Sequence, residues 1–230
     1  MRPSISVIIP LAPKETHWPT VVAQLAGLPD NCEVLLAITQ DSDEPDVASF
    51  KNEMNIRVLH GSTGRAQLMN AAAMASEKEY LWFLHADSSL SENTVTNLLK
   101  KLEGKERVLY FHDLVFVGDG PHLMKLNSVG VWFRSHVLKM PFGDQGFCLA
   151  QELFSEIGGY PENVPYGEDH VLVWRALQNG VSVKSVGSTI GTSARKYAEN
   201  GWLKTTMLHL YLWTKQALPE LFILLKSKLK

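Results

Sequence analysis

Continuous apolar runs alternate with helix-like segments through the first half of the chain. Such short runs are typical of buried strands, and the segments between them have helical periodicity or turn residues. The pattern predicts strands at residues 5–11, 33–39, 56–60, 80–85 and 107–117. It predicts helices at residues 18–28, 64–76 and 91–102. This β-α-β order indicates an α/β fold with a mostly parallel central sheet that helices cover on both faces.

The second half of the sequence has a less regular pattern. Helices are predicted at residues 123–138, 152–157 and 169–179, an extended segment at 143–150 and a strand at 181–186. Gly180 follows the third of these helices in the position where glycine ends helices. The tail predicts two more helices, 202–217 and 220–229, which Pro219 should separate. We therefore expect one domain over residues 1–200 and a helical tail over 201–230.

Size and composition are those of an ordinary globular domain. The chain has 230 residues and a formal net charge of −2, which gives no indication of a nucleic-acid partner. Cys32 and Cys148 lie far apart, without metal-type spacing, as expected for buried thiols in a reducing compartment. The first apolar run is too short for a signal peptide, and no window reaches the roughly 18 apolar residues of a membrane span. These features favour a cytoplasmic protein.

A carboxylate follows the fourth predicted strand, in the stretch Leu84-His85-Ala86-Asp87-Ser88. Open α/β sheets bind ligands at the carboxyl ends of their strands. An acid there suits a hard cation such as Mg²⁺ or Mn²⁺, which binds few protein oxygens together with substrate phosphates. The alternative is that Asp87 only caps the turn into the next helix.

A second candidate site is the helix that begins at Gly64 and Arg65. The free N–H groups and positive dipole of a helix N-terminus attract phosphate, and Arg65 could add a bidentate contact. A cation in this position opposes the helix dipole, which favours a functional reason for it. The alternative is that Arg65 is a solvated side chain.

Two adjacent acids, Glu168 and Asp169, begin the predicted helix after Gly167. Acids are common in first turns because the helix dipole favours them. In the functional interpretation, one acid projects into a cleft and removes a proton from an attacking alcohol.

Six short motifs occur together in one order: "SVIIP", "GRAQLMN", "FLHADS", "GDQGFCL", "GGYPE…GEDHVLVWRALQNG" and "TSARKY". With them the chain resembles family 2 glycosyltransferases of the Rossmann-like GT-A fold. It is most similar to a bacterial subgroup with GRA-x-QMN and LHAD motifs. The resemblance covers roughly residues 4–200.

The resemblance implies roles for individual residues. Asp169 corresponds to the base of an inverting transfer, and Glu168 to a neighbour that orients the loop. Asp87 corresponds to the last acid of the Asp-x-Asp motif, which binds Mn²⁺ or Mg²⁺. Positions implied to bind a nucleotide-sugar donor, with a UDP-sugar favoured, are Pro10, Leu11, Gly64, Arg65, Ala86, Asp144, Gln145 and Arg195.

Two positions depart from the family pattern. The stretch after the second strand lacks the usual nucleotide-reading aspartate, for which Asp41 or Asp43 could substitute. His85 replaces the first acid of Asp-x-Asp. Its imidazole could bind the metal or contact the ribose or diphosphate.

The tail carries five lysines and one acid, Glu220, among many apolar residues. A basic amphipathic segment can lie on an anionic membrane surface, here the inner face of the membrane. The alternative is a helical appendage that packs on the domain or on a second copy in a homodimer.

The sequence therefore predicts a metal-dependent inverting glycosyltransferase, of the hexosyltransferase type, with an acceptor that the sequence does not identify. The alternative is a non-catalytic nucleotide-sugar-binding module or a transferase relic, which His85 and the irregular exit of strand two favour. A nucleotidyltransferase would need a glycine-rich loop after strand one, and residues 10–14 contain no glycine.

Overall fold

The computed structural model describes residues 2–50 and 54–228. Its centre is an eight-stranded mixed sheet of order β3-β2-β1-β4-β7-β6-β8-β5. The strands are β1 Ile5–Pro10, β2 Glu33–Thr39, β3 Ile56–Gly61, β4 Tyr80–Phe83, β5 Ser89–Leu90, β6 Val108–Phe116, β7 Cys148–Ala150 and β8 Ser182–Thr192. The α/β fold with a helix-flanked sheet is thus confirmed.

Parallel pairing dominates one half of the sheet. β1 pairs in parallel with β2 and β4, and β2 with β3. In the other half β6 and β8 are parallel, but β7 runs antiparallel to both β4 and β6. β5 pairs antiparallel with the end of β8.

Eight helices cover the sheet in the part of the chain that the structure describes. They are α1 Trp18–Ala23, α2 Arg65–Ala75, α3 Thr94–Leu102, α4 Met124–His136, α5 Gln151–Glu156, α6 Glu168–Gln178, α7 Arg195–Asn200 and α8 Trp202–Lys228. Two 3₁₀ turns, Ala48–Phe50 and Gly143–Gln145, complete the elements.

Helices bury both faces of the sheet. Successive side chains of a strand point to opposite faces, so each strand contributes to both cores. On β1, Val7 and Ile9 belong to the core under α1 and α3, whereas Ile8 belongs to the core under α2, α5 and α6. Residues of β1 and β2 are therefore apolar almost without alternation, as expected for strands covered on both faces.

Several predicted boundaries were wrong. Helix α1 ends at Ala23 because the chain then turns through Gly27 toward Pro29, two residues that disfavour helix. The predicted extended segment 143–150 begins instead with a 3₁₀ turn, and only Cys148–Ala150 is a strand. Strand β4 ends at Phe83, so His85 lies in the loop after it.

The tail is one continuous helix, contrary to the prediction that Pro219 would separate two. Helix α8 runs from Trp202 to Lys228 with Pro219 inside it. Pro219 has no N–H to donate to the carbonyl of Lys215, four residues earlier. Both residues are exposed, so water can hydrate this carbonyl. The predicted end at Leu229 lies outside the described residues. Within the described residues, no helix has the length and apolar character that crossing a membrane requires.

Gly180 ends helix α6 as predicted. Its φ is +70°, a left-handed value that glycine adopts without a steric penalty. The Gly180 N–H donates to the Leu177 carbonyl, and the Val181 N–H to that of Ala176. This double hydrogen bond turns the chain directly into β8.

Candidate functional site

The carboxyl ends of β1 and β4 lie side by side and carry two of the predicted loops. Ile8 is level with Phe83, and beyond the strands the Leu84 N–H still donates to the Ile8 carbonyl over 3.0 Å. The Leu11 N–H donates to Ala37 of β2. Pro10, Leu11 and the loop after Phe83 therefore share the sheet edge where α/β folds bind ligands.

Helix α2 starts at this edge after Gly64. The φ of Gly64 is +127°, a backbone conformation that strains residues with a side chain, so glycine is favoured there. The helix has eleven residues, and no side chain of the described chain caps its N-terminus. Its first N–H groups and the adjacent Arg65 therefore form a positive end suited to an anion.

Arg65 contacts two other predicted site residues, Glu168 and His85. Its guanidinium lies 3.6 Å from the Glu168 carboxylate and contacts the Nε2 atom of His85. Arginine can only donate hydrogen bonds, so the Nε2 atom of His85 accepts this one and carries no proton. Burial lowers the pKa of His85, and the positive charge of Arg65 lowers it further.

Asp169 lies at the start of α6, opposite the turn Gly143–Gln145. One oxygen of its carboxylate accepts a hydrogen bond from the Gly143 N–H, with a nitrogen–oxygen distance of 2.5 Å. A Cβ on Gly143 would lie 3.0 Å from this oxygen and 3.4 Å from Arg65 Nη2. The absence of a side chain at Gly143 thus allows this turn to approach the two charged groups.

Asp144 is a buried acid next to this contact. Burial raises its pKa to about 6; Arg134 lowers it, and the charge of Asp169 raises it further. Its Oδ1 atom has no hydrogen-bond partner within the described chain.

Arg134 was missed in the sequence. It projects from α4, with its guanidinium carbon 3.3 Å from the centre of the Phe142 ring. Burial lowers its pKa to about 10, an effect that the charges of Asp144 and Asp169 oppose. The sequence signal that could have identified it is an arginine within the mostly apolar stretch of residues 129–138.

Gln145 has a fully buried side chain that is engaged inside the protein. Its Oε1 accepts from the Ser135 hydroxyl at 2.9 Å and the Phe142 N–H at 3.1 Å, and its Nε2 donates to the His112 carbonyl. These bonds hold the turn in place. The predicted contact of Gln145 with substrate stays a prediction, and in this conformation its amide is not free to make it.

The remaining predicted residues differ in their exposure. Ala86 is buried behind His85, whereas Asp87 is exposed at the loop surface. Asp41 is exposed in the turn after β2. Arg195 is exposed at the start of α7, where its neighbour Lys196 is close enough to lower the pKa of His85.

Few side chains at this edge of the sheet could bind a metal ion. The described residues contain no cluster of three or more His, Cys, Asp or Glu that could hold an ion. The exposed carboxylate of Asp87 fits an ion that takes most of its ligands from substrate phosphates and water. His85 fits less well, since its Nε2 faces the guanidinium of Arg65.

The arrangement combines a positive helix end with carboxylates at one sheet edge. Arg65 and α2 can bind phosphate oxygens, while the Asp169 oxygen not bonded to Gly143 could accept a proton. These are the parts needed to hold an anionic leaving group and to activate a hydroxyl.

Comparison with known families agrees with this geometry. Residues 6–160 match Glycosyl transferase family 2. The chain belongs to this family, and the match ends before Glu168 and Asp169. The comparison with curated proteins gives no match.

Solved structures show the same fold at low sequence identity. The mannosyltransferase PcManGT from Pyrobaculum calidifontis, in complex with GDP-Man and Mn²⁺, is 16% identical with a TM-score of 0.70, over 99% of this chain and 69% of that one. S. aureus TarS 1-349 in complex with UDP-GlcNAc is 19% identical with a TM-score of 0.61, over 84% and 59%. GalNAc-T7 with UDP, GalNAc and Mn²⁺ is 15% identical with a TM-score of 0.62, over 84% and 44%. The chain thus spans about three fifths of the TarS fragment.

We predict that Asp144→Asn changes the pH dependence of stability. The folded-state pKa of Asp144, about 6, lies above its ordinary value of 3.8. Its protonation therefore stabilises the native state at low pH, and this contribution is lost as the pH rises through 6. Asparagine does not titrate, so the variant does not lose stability in this way as the pH rises. Its free energy of unfolding relative to the parent should rise by up to about 3 kcal/mol between roughly pH 4 and pH 7.

Urea denaturation across this pH range measures the effect. Asp43→Asn, which removes an exposed carboxylate, is the matched control and should follow the parent. A constant difference between Asp144→Asn and the parent at all pH values would contradict the assignment of a raised pKa.

Proposed function

We propose that this family 2 glycosyltransferase is a metal-dependent, inverting enzyme that transfers a hexose from a nucleoside diphosphate donor to a hydroxyl acceptor. The observation that carries the proposal is the grouping of Arg65, Glu168 and Asp169 at the carboxyl edge of the sheet. Within it, Arg65 lies 3.6 Å from Glu168. Asp169 is held at 2.5 Å by the Gly143 N–H.

The donor diphosphate would lie between the start of α2 and the loop after β4. Free N–H groups and Arg65 supply its hydrogen bonds, and Pro10 and Leu11 border the nucleoside at the adjacent strand end. UDP is the favoured nucleotide, with Asp41 at the edge of its site. TarS and GalNAc-T7 are both known with UDP bound, and PcManGT with GDP-Man, which supports this class of donor.

Asp87 would hold the divalent cation, Mn²⁺ or Mg²⁺, against the diphosphate. The cation supplies charge neutralisation for the departing nucleotide. Two neighbours of similar fold are known with Mn²⁺, which supports a metal-dependent reaction. In this arrangement His85 acts beside the metal, as the neutral acceptor that orients Arg65.

Asp169 would be the base. The α6 N-terminus and the Gly143 N–H both favour negative charge on its carboxylate. It removes the proton from the acceptor hydroxyl, whose oxygen attacks the sugar carbon while the nucleotide leaves from the opposite face. Glu168 positions Arg65 through their ion pair.

We predict that Arg65→Ala and Asp87→Ala separate the two contributions to donor binding. Arg65→Ala removes a hydrogen bond to a charged group, so UDP should bind more weakly by roughly 1.5 kcal/mol with or without Mn²⁺. Asp87→Ala should remove only the part of UDP binding that depends on Mn²⁺.

Titration calorimetry with UDP, with uridine and with Mn²⁺ measures these effects. Uridine affinity is the control and should be unchanged in both variants. If Arg65→Ala weakens uridine and UDP equally, Arg65 has a structural role; if Asp87→Ala keeps full Mn²⁺-dependent binding, the metal lies elsewhere.

We predict that Asp169→Asn loses transfer activity while it retains donor and metal. Asparagine keeps the shape and can still accept the Gly143 hydrogen bond, but it has no basicity. The transfer rate should fall by at least roughly 10²-fold, the low end for general-base catalysis.

A thermal-shift panel of UDP-, GDP- and TDP-sugars with Mn²⁺ first identifies the donor. The activity assay then measures sugar transfer or the slow hydrolysis of that donor. Glu168→Gln is the matched control and should lose less, through weaker positioning of Arg65. Near-full activity of Asp169→Asn would place the base elsewhere. Donor binding without turnover by the parent protein would favour a non-catalytic binding module.

A further inference from the structure

Exposed apolar side chains are concentrated on two helices. The described residues include twenty large hydrophobic side chains that are exposed. All but Met74, Val115 and Val117 lie on α8 or at α4 and its ends. On the α4 side they are Leu123, Leu126, Val129, Trp132, Phe133, Val137 and Leu138. On α8 they are Leu203, Met207, Leu208, Leu210, Tyr211, Leu218, Leu221, Phe222, Ile223 and Leu225. Large exposed apolar patches on a protein surface mark interaction sites with a partner or a membrane.

The two helices adjoin. Trp202 of α8 donates its indole N–H to Asn127 of α4 over 2.6 Å, and Asn127 in turn donates to Thr206. The first turns of α4 and α8 therefore lie against each other. We call these two sets of exposed residues the α4–α8 face.

The side of helix α8 that faces the domain carries polar as well as apolar residues. Its polar residues contact the domain: Gln216 donates to the Tyr166 carbonyl, and Glu220 accepts from Gln178. Thr205 is buried, whereas Phe222 is 71% and Leu203 64% exposed. The large exposed apolar residues of α8 are thus turned away from the protein, whereas Ala217 and Leu224 pack against the core.

The charges on the α4–α8 face have one sign. Lys204, Lys215 and Lys226 are exposed and lie eleven residues apart, which is three helical turns, so they form a row along one side of α8. The one acid of α8, Glu220, is turned inward to Gln178. Residues 120–143 contain no acid, and Lys125 and Lys139 are exposed at the two ends of α4.

We propose that the α4–α8 face binds the surface of an anionic lipid bilayer, with both helices lying in the plane of the interface. Apolar side chains enter the boundary of the acyl chains, and lysines extend to the lipid phosphates. Trp132 and Tyr211 have the amphipathic rings that accumulate at this depth. The tail predicted from sequence is therefore one half of the surface, and α4 is the other.

A second copy of the chain fits this face less well. A two-fold dimer places the same surface on both sides, so the lysines of the two copies would approach one another without an acidic partner. An anionic bilayer supplies the missing negative charge, with about a five-fold gain in binding per lysine.

Attachment through this face would bring the bilayer next to the candidate site. Helix α4 carries Arg134, which lies beside Asp144 and Phe142. The binding itself does not depend on the transfer reaction, so it can be tested without substrate.

Flotation of the full-length protein with vesicles tests the proposal. Vesicles of phosphatidylcholine and phosphatidylglycerol in equal parts should carry the protein at low salt, and pure phosphatidylcholine should carry much less. The triple variant Lys204→Gln, Lys215→Gln, Lys226→Gln should bind the anionic vesicles roughly 100-fold more weakly. Trp132→Gln with Phe222→Gln should also lose binding.

Matched controls change the same residue types elsewhere on the surface. Lys14→Gln, Lys100→Gln, Lys101→Gln removes three exposed lysines, and Met74→Gln removes an exposed apolar side chain on α2; both should float like the parent. Circular dichroism and thermal unfolding verify that every variant folds. A parent protein that stays in solution with anionic vesicles would overturn the proposal. Sedimentation that shows a stable dimer, which the Trp132 and Phe222 changes convert to monomer, would overturn it in favour of a second copy.

Discussion

The hydrogen bond from the Gly143 N–H to Asp169 is the contact on which the geometry of the site depends. It joins two segments that are 26 residues apart, the 3₁₀ turn before β7 and the start of α6. Gly143 can make it because a side chain there would meet both Asp169 and Arg65. Through Arg65 the same group reaches Glu168, the first residue of α6, and His85, which lies in the loop after β4.

Charges of both signs lie close together in this group. Arg65 and Arg134 both lower the pKa of Asp144, which burial raises to about 6. A buried charge needs compensation, so removal of any one of them disturbs the others.

The fold and part of the site could be predicted from the sequence because the signals were local. Continuous apolar runs located the strands of the parallel half, and Gly180 ended α6 as expected. The direction of β7 could not be read, because a three-residue strand has the same apolar pattern in either orientation. The charge of Asp169 near Arg134 and the hydrogen bond from Gln145 to the His112 carbonyl depend on tertiary contacts, which periodicity does not record.

The central claim is that Gly143 positions Asp169 for proton removal, and the turnover number of Gly143→Ala tests it most directly. A methyl group there would displace Asp169 by a few tenths of an ångström, since the added Cβ would lie 3.0 Å from its carboxylate oxygen. We expect kcat to fall roughly ten-fold, since catalysis is sensitive to such shifts. Donor affinity should stay within a few-fold and the thermal unfolding temperature close to that of the parent. An unchanged kcat would contradict the account.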